Sequence, residues 1–211
     1  MGERRKAFLE LDGVPVLLRA LRPFLRHPRV VAVTVAVSAG ELENPPRWLT
    51  EADPRIRLVE GGATRGDSVR AALEDLPETS RIIVVHDAAR PLVTKEIIDR
   101  CLQVVGPDQG AVAGWPAVDT LKAVDGEGRV TGTPDRNRVW HAQTPQIFPR
   151  ELVMEAYRRA REAGRENTDD AALVEAVGGR VVMVSGSPYN LKVTRPEDLE
   201  VAELFLRRGY G

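Results

Sequence analysis

Apolar residues along this chain follow two rhythms that take turns. In GVPVLLRALRPFL (13–25), Leu17, Leu18, Leu21, Phe24 and Leu25 share one helical face, and Pro23 predicts a kink or an early end. An apolar run at 30–37 predicts a strand and is followed by the proline-rich NPPRWLT. IRLVEGG (56–62) reads as a short strand ending in glycines, and TRGDSVRAALEDL (64–76) as a helix. The run at 81–85, RIIVV, suits a strand covered on both faces. A helix near 94–105, a strand at 110–116, helices at 149–164 and 168–178, a strand at 180–186 and a helix at 194–208 complete the series. In the last helix Thr194 and Glu197 have capping-box spacing. Strands alternating with helices predict an α/β fold with a mostly parallel sheet.

Residues 117–137 break the alternation. Two β-like stretches flank DGEG, a turn signal, so this segment predicts a hairpin projecting from the core as an arm. No repeat, low-complexity tract or linker divides the rest, and 1–211 reads as a single domain carrying that arm. The opening is also unusual. An α/β domain of this kind usually begins on a strand, whereas here a basic fragment, MGERRK, leads straight into KAFLEL. The expectation is that a first strand and the loop after it are missing.

Composition narrows the class. Of 211 residues, 43% are hydrophobic and 29% charged, the profile of a globular protein. The formal net charge of −1 predicts no general attraction to nucleic acid or to an anionic membrane, so an anionic ligand must be held by local basic groups. The longest apolar stretch, VVAVTVAV, is far short of the roughly 20 residues a spanning helix needs. The single cysteine, Cys101, falls on the apolar side of a predicted helix and reads as a packed, reduced thiol. With no signal-peptide core at the N-terminus, these features predict a cytoplasmic location.

Ligands of open parallel sheets bind beyond the carboxyl ends of the strands, and four such ends here are polar: GGATRGDS, HDAARP, AVDT and KVTRP. Asp87 suits a hard cation such as Mg²⁺, or else an Asx-turn before the next helix. Arg90 offers a bidentate fork for a phosphate, or a partner for Asp87. His86 reads as a satisfied strand-end residue rather than a base. Gly62, Ala63 and Ser68 form a turn that a flat ring can approach closely, or a plain strand–helix turn with Thr64 as N-cap. Lys6 and Lys192 taken singly read as surface lysines. Thr168 reads as a helix cap and Arg136 as a surface residue closing the arm. The chain contains no G-x-G-x-x-G, no G-x-x-x-x-G-K-[ST], no H-E-x-x-H and no G-x-S-x-G motif.

Taken in order, KAFLEL, GGATRGDSV, VHDAARPLV, VDTLK, DR, QTPQIF, TDDA and LKVTRPEDL resemble the 2-C-methyl-D-erythritol 4-phosphate cytidylyltransferase family from Lys6 to about Arg207. The resemblance implies a Rossmann-like sheet with helices on both faces and a hairpin arm that interlocks two subunits. It implies transfer of a cytidylyl group from CTP to methylerythritol phosphate, with Mg²⁺, in isoprenoid synthesis. By position, Lys6 and Lys192 hold the CTP phosphates, and Asp87 serves the metal and the substrate end. Gly62, Ala63 and Ser68 line the cytosine pocket. Arg90, Thr120, Thr168 and Arg136 surround the polyol phosphate, with Arg136 arriving from the partner's arm. Two departures accompany it. The family's first strand and Gly-rich phosphate loop are absent, and Ala63 can meet the base only through its backbone. The alternatives are another polyol phosphate, such as ribitol 5-phosphate, and a non-catalytic dimeric remnant.

Overall fold

A computed structural model describes residues 7–164 and 169–210. A tight turn joins β1 (Glu10–Leu11) to β2 (Val14–Pro15) and leads into α1 (Val16–Leu25), which continues past Pro23 for two residues. Then follow β3 (Val33–Val37), the short helices α2 (Ala39–Glu43) and α3 (Arg47–Thr50), β4 (Ile56–Glu60) and α4 (Arg65–Asp75). The middle of the chain forms β5 (Ile82–Val85), α5 (Lys95–Val104) and β6 (Gln109–Pro116). Beyond the arm lie β9 (Trp140–Pro149), α6 (Arg150–Glu162), α7 (Asp170–Ala176), β10 (Arg180–Ser185) and α8 (Pro196–Arg207).

The main sheet has the order β10-β6-β9-β5, and β3 and β4 form a separate two-stranded ribbon. β10 runs parallel to β6, and β3 parallel to β4. β9 is antiparallel to both neighbours, so the α/β sheet is mixed. The hydrophobic pattern does not announce β9, because its buried positions include Gln143, Thr144 and Gln146. Its register against β6 shifts between Val112 and Gly114. Pro145, which has no N–H to give a ladder, is accommodated in that irregularity.

Helices cover both faces, as period-two alternation requires. Val112 and Phe148 point toward α6 and α7, joining Val153, Ala156, Tyr157 and Val174. Their neighbours Ala111, Ala113 and Ile147 point the other way, onto Ile97 and Cys101 of α5. α8 packs with Leu11, Val16 and Leu92. Its start differs by one residue from the expected capping box: the acceptor is Asp198 rather than Glu197, taking the Thr194 and Arg195 N–H groups, each at 2.7 Å. α7 is capped by the Asp169 carboxylate, which accepts from Ala172 N–H at 3.3 Å. The cap expected at Thr168 lies outside the described residues.

The arm is the excursion between β6 and β9. β7 (Ala123–Val124) pairs antiparallel with β8 (Val130–Gly132), and the turn between them is closed by Gly128 N–H on the Asp125 carbonyl. Gly128 takes φ +80°, a value that favours glycine. Arg136 lies in a 3₁₀ turn at the return of the arm.

Among the described residues, β3 and β5 are each paired on one side only. Both line a cavity of about 1410 Å³, together with Leu17, Leu21 and Phe24 of α1, Val69 and Leu73 of α4, and Leu76 just beyond it. The polar end of this cavity holds the functional groups.

Candidate active site

Three chain segments converge there: the turn after β4, the exit of β5 and the stretch before α8. The first begins at Gly61. A Cβ at Gly62 would lie 2.1 Å from the Asp67 Cβ, so only glycine permits this close return of the chain. Thr64 caps α4, accepting from Asp67 N–H at 3.1 Å, while the Asp67 carboxylate accepts the Thr64 hydroxyl at 2.9 Å. Ser68 turns its hydroxyl back to the Thr64 carbonyl at 3.0 Å. Gly62, Ala63 and Ser68 all line the cavity.

At the second segment β5 ends, and His86 and Asp87 follow. The His86 imidazole is locked between two groups. Its Nδ1 lies 2.9 Å from Thr144 Oγ1, and its Nε2 lies 3.2 Å from the Arg90 carbonyl. The Arg90 carbonyl can only accept, so Nε2 carries the ring proton and Nδ1 accepts the Thr144 hydroxyl, whose oxygen also accepts Asp87 N–H at 3.0 Å. Burial pushes the His86 pKa down to about 4, against the opposing pull of the Arg90 carbonyl and the Asp87 charge. A neutral ring with both nitrogens engaged is a brace for the turn, not a base.

Asp87 sits among three cations. Arg65 Nε lies 3.3 Å from Oδ1, while Arg90 Nε at 3.4 Å and Lys192 Nζ at 3.2 Å face Oδ2. Burial acts to raise the Asp87 pKa, but Lys192, Arg65 and Arg90 together hold it below the usual carboxylate value. Arg90 also donates Nη1 to the Asn190 carbonyl at 2.8 Å. Burial lowers its pKa, with Asp87 opposing that shift. Lys192 is the most accessible of the three, with 35% of its side chain exposed.

Behind this cluster is a second layer that the sequence reading did not single out. Arg65 grips Asp170 with Nη1 at 3.0 Å and Nη2 at 2.7 Å. Asp170 is fully buried and also accepts the Tyr157 hydroxyl. Burial works against the Arg65 charge, yet the Asp170 hydrogen bonds and charge raise its pKa above the ordinary arginine value. Asn190, also fully buried, donates its amide to the Thr144 carbonyl at 2.8 Å. Arg65 stands in the same strand-exit motif as Ser68, but the partner that anchors it is remote in sequence.

Asp87, Arg90 and Lys192 thus meet as one cluster, beside the Gly62, Ala63 and Ser68 turn. Thr120 and Arg136 are exposed residues at the base of the arm and are not among the cavity-lining residues. Arg136 donates Nη1 to the Val118 carbonyl at 2.9 Å. Lys6, the MGERRK fragment and Thr168 lie outside the described residues. Among the described residues, no three His, Cys, Asp or Glu side chains are grouped to cage an ion, and no helix is long and apolar enough to cross a membrane.

A carboxylate among cations, at a strand exit beside a glycine turn, defines an α/β protein suited to a phosphorylated ligand. A family model described as IspD, 2-C-methyl-D-erythritol 4-phosphate cytidylyltransferase, matches residues 1–208. A relative of that name from Symbiobacterium thermophilum is 43% identical over 206 residues, covering 97% of this chain and 86% of the relative. Another from Acidobacterium capsulatum is 42% identical, over 96% of this chain and 87% of that one. The solved structure of the cytidylyltransferase from Thermus thermophilus aligns with a TM-score of 0.82 at 36% identity, covering 96% and 93% of the two chains. The 4-diphosphocytidyl-2C-methyl-D-erythritol synthase of Anaerococcus prevotii aligns with a TM-score of 0.88 at 27% identity, over 96% and 93%. The chain belongs to the 2-C-methyl-D-erythritol 4-phosphate cytidylyltransferase family.

Proposed function

We propose that this chain transfers the cytidylyl group of CTP to 2-C-methyl-D-erythritol 4-phosphate and releases pyrophosphate. A phosphate oxygen of the polyol attacks the α-phosphorus of CTP, a new P–O–P bond forms, and the bond to the pyrophosphate oxygen breaks. A phosphate monoester has a second pKa of about 6, so the nucleophile is already ionised at neutral pH and needs no base. That agrees with a His86 ring committed to bracing. The remaining demand is to bring two anions together in line and to stabilise the charge that develops.

The observation that carries this reading is Asp87 held among Arg65, Arg90 and Lys192 at the end of β5. Lys192, the accessible cation, turns to the CTP phosphates with Lys6. Gly62, Ala63 and Ser68 receive the cytosine, Ala63 through its backbone. Arg90, Thr120 and Thr168 take the polyol phosphate, joined by Arg136 of the partner subunit. A single ionised carboxylate fits Mg²⁺, which usually takes one or two carboxylates and completes its shell with phosphate oxygens and water. When bound, the ion neutralises phosphate charge. Asp87 would hold the ion, and the phosphates of a bound ligand would offer Lys192 and Arg90 alternative acceptors.

The arm is read as the dimer contact. Val118, Val124 and Val130 are 63%, 55% and 60% exposed on a ribbon that is marginal alone in water. A reduced, buried Cys101 accords with a cytoplasmic location. The test is product analysis by mass spectrometry with CTP and either methylerythritol phosphate or ribitol 5-phosphate. Turnover of methylerythritol phosphate is expected. Turnover of ribitol 5-phosphate alone would move the assignment to that substrate, and no product from either would reject it. Light scattering tests the arm: deleting 117–137 should leave a monomer, and an unchanged dimer would place the contact elsewhere.

A further inference from the structure

We propose that Arg65, which lines the cavity beside Asp87, is a positioning residue that fixes the Asp87 carboxylate while Asp170 and Tyr157 immobilise the arginine. The inference rests on the reading of Asp87 given above and adds a device that determines its geometry.

The three cations around Asp87 are not equivalent. Arg65 is the first residue of α4, so its backbone is fixed by the Thr64–Asp67 cap. Both terminal nitrogens are spent on the two oxygens of Asp170, a fork–fork pair that restrains the guanidinium plane. Asp170 is itself fully buried and held by the Tyr157 hydroxyl, within the core that packs on α6. The third nitrogen, Nε, points at Asp87 Oδ1. Arg90 and Lys192 both face the other oxygen, Oδ2. One oxygen of Asp87 is therefore held by a cation that cannot leave without breaking a buried fork. The other is shared with a flexible ammonium that a ligand can draw away. The carboxylate keeps its orientation when phosphates arrive and Lys192 moves.

Tyr157 supplies the clean test, because it is absent from the cavity-lining residues and reaches the site only through Asp170 and Arg65. Removing one hydrogen bond to a charged group should lower kcat by about tenfold in Tyr157→Phe, with the KM for CTP changed by less than about twofold. Arg65→Lys keeps the charge and loses the fork, so kcat should fall by about 10- to 100-fold, again with KM nearly unchanged. Tyr157→Phe in the Arg65→Lys background should add little, since both act on one chain of contacts. A crystal structure of Arg65→Lys, with no substrate, should show the Asp87 carboxylate rotated from its wild-type position. An unrotated carboxylate overturns the proposal whatever the chain's activity, which separates its failure from failure of the cytidylyltransferase reading. A rise in the KM for CTP at constant kcat would make Arg65 a direct nucleotide contact. Independent, additive losses in the double variant, or wild-type kinetics with a lowered Tm, would leave it a structural ion pair only.

Discussion

Two arginine–carboxylate groups in this molecule are chemically alike and physically opposite. At the tip of the arm, Arg129 reaches Asp125 at 2.8 Å and also pairs with Glu127, and the arginine side chain is 73% exposed. In the core, Arg65 reaches Asp170 and Asp87 with its side chain 28% exposed and that of Asp170 only 1%. The first group keeps its water and exchanges one set of polar partners for another, so it contributes little. The second has given up most of its water, and each member depends on the others for solvation. An ion pair is informative according to what surrounds it. On the arm it belongs to a tight turn; in the core it restrains where a charge sits.

The largest effect expected from this contrast is on stability. Asp170→Ala leaves Arg65 and the Tyr157 hydroxyl without their buried partner and should cost about 3–5 kcal/mol, read by urea denaturation. A loss as small as that of an arm variant would mean that water reaches Arg65 freely. Next comes catalysis. Asp87→Asn should retain the fold and lose about 10²–10³ in turnover, the usual cost of a missing charge contact in a transition state. Near-normal turnover at saturating Mg²⁺ would remove Asp87 from the mechanism.

A third test concerns burial without an ionic partner. Cys101 is fully buried and its thiol is pushed up to about 12 from 9.0. Above pH 9 the unfolded chain releases this proton while the folded chain keeps it. The unfolded state then binds fewer protons, so stability falls as pH rises from 9 toward 12, by at most about 1.4 kcal/mol per pH unit. Tyr157, raised first by burial and then by Asp170, adds to the same trend above 10.0. Cys101→Ala should therefore flatten the alkaline loss measured by denaturation; an unchanged slope would show that the thiol is solvated. The smallest effect belongs to the arm tip. Arg129→Ala should leave Tm unchanged within error in differential scanning calorimetry, and a clear drop would mean that this ion pair is shielded, for instance by a second subunit.

The legible parts of the sequence were those where pattern and environment coincide. β5 and β6 are apolar runs because both faces are covered, and α4 announces itself through Thr64 and Asp67. Asp87 stands out in the sequence because it follows β5 directly, where ligands of such sheets bind, whereas Lys192 follows no strand and is singled out only by the family resemblance. β9 is hidden because its buried Gln143, Thr144 and Gln146 imitate a loop; Gln143 donates to the Ser187 carbonyl and Gln146 bonds Asp169 and the Ala171 N–H instead of packing as a hydrophobe. Arg65 was overlooked for a different reason. Its partner stands 105 positions away, and no local period encodes that pairing.

That separation also governs when the site can exist. The Thr64–Asp67 cap and the β5 exit belong to consecutive elements of the chain, α4 and β5, but Thr144, Asp170, Asn190 and Lys192 complete the surroundings of Asp87 from the last third of the chain. Loop closures of this length form slowly compared with helices and local turns. On the ribosome, a chain extended only as far as α6 would already own the β5–β9 ladder, yet Asp87 would be an ordinary solvated carboxylate beside an unanchored arginine. The surroundings of Asp87 are complete only when α7 and the segment before α8 have been made. A ligand that binds this cluster therefore selects for chains that have finished folding.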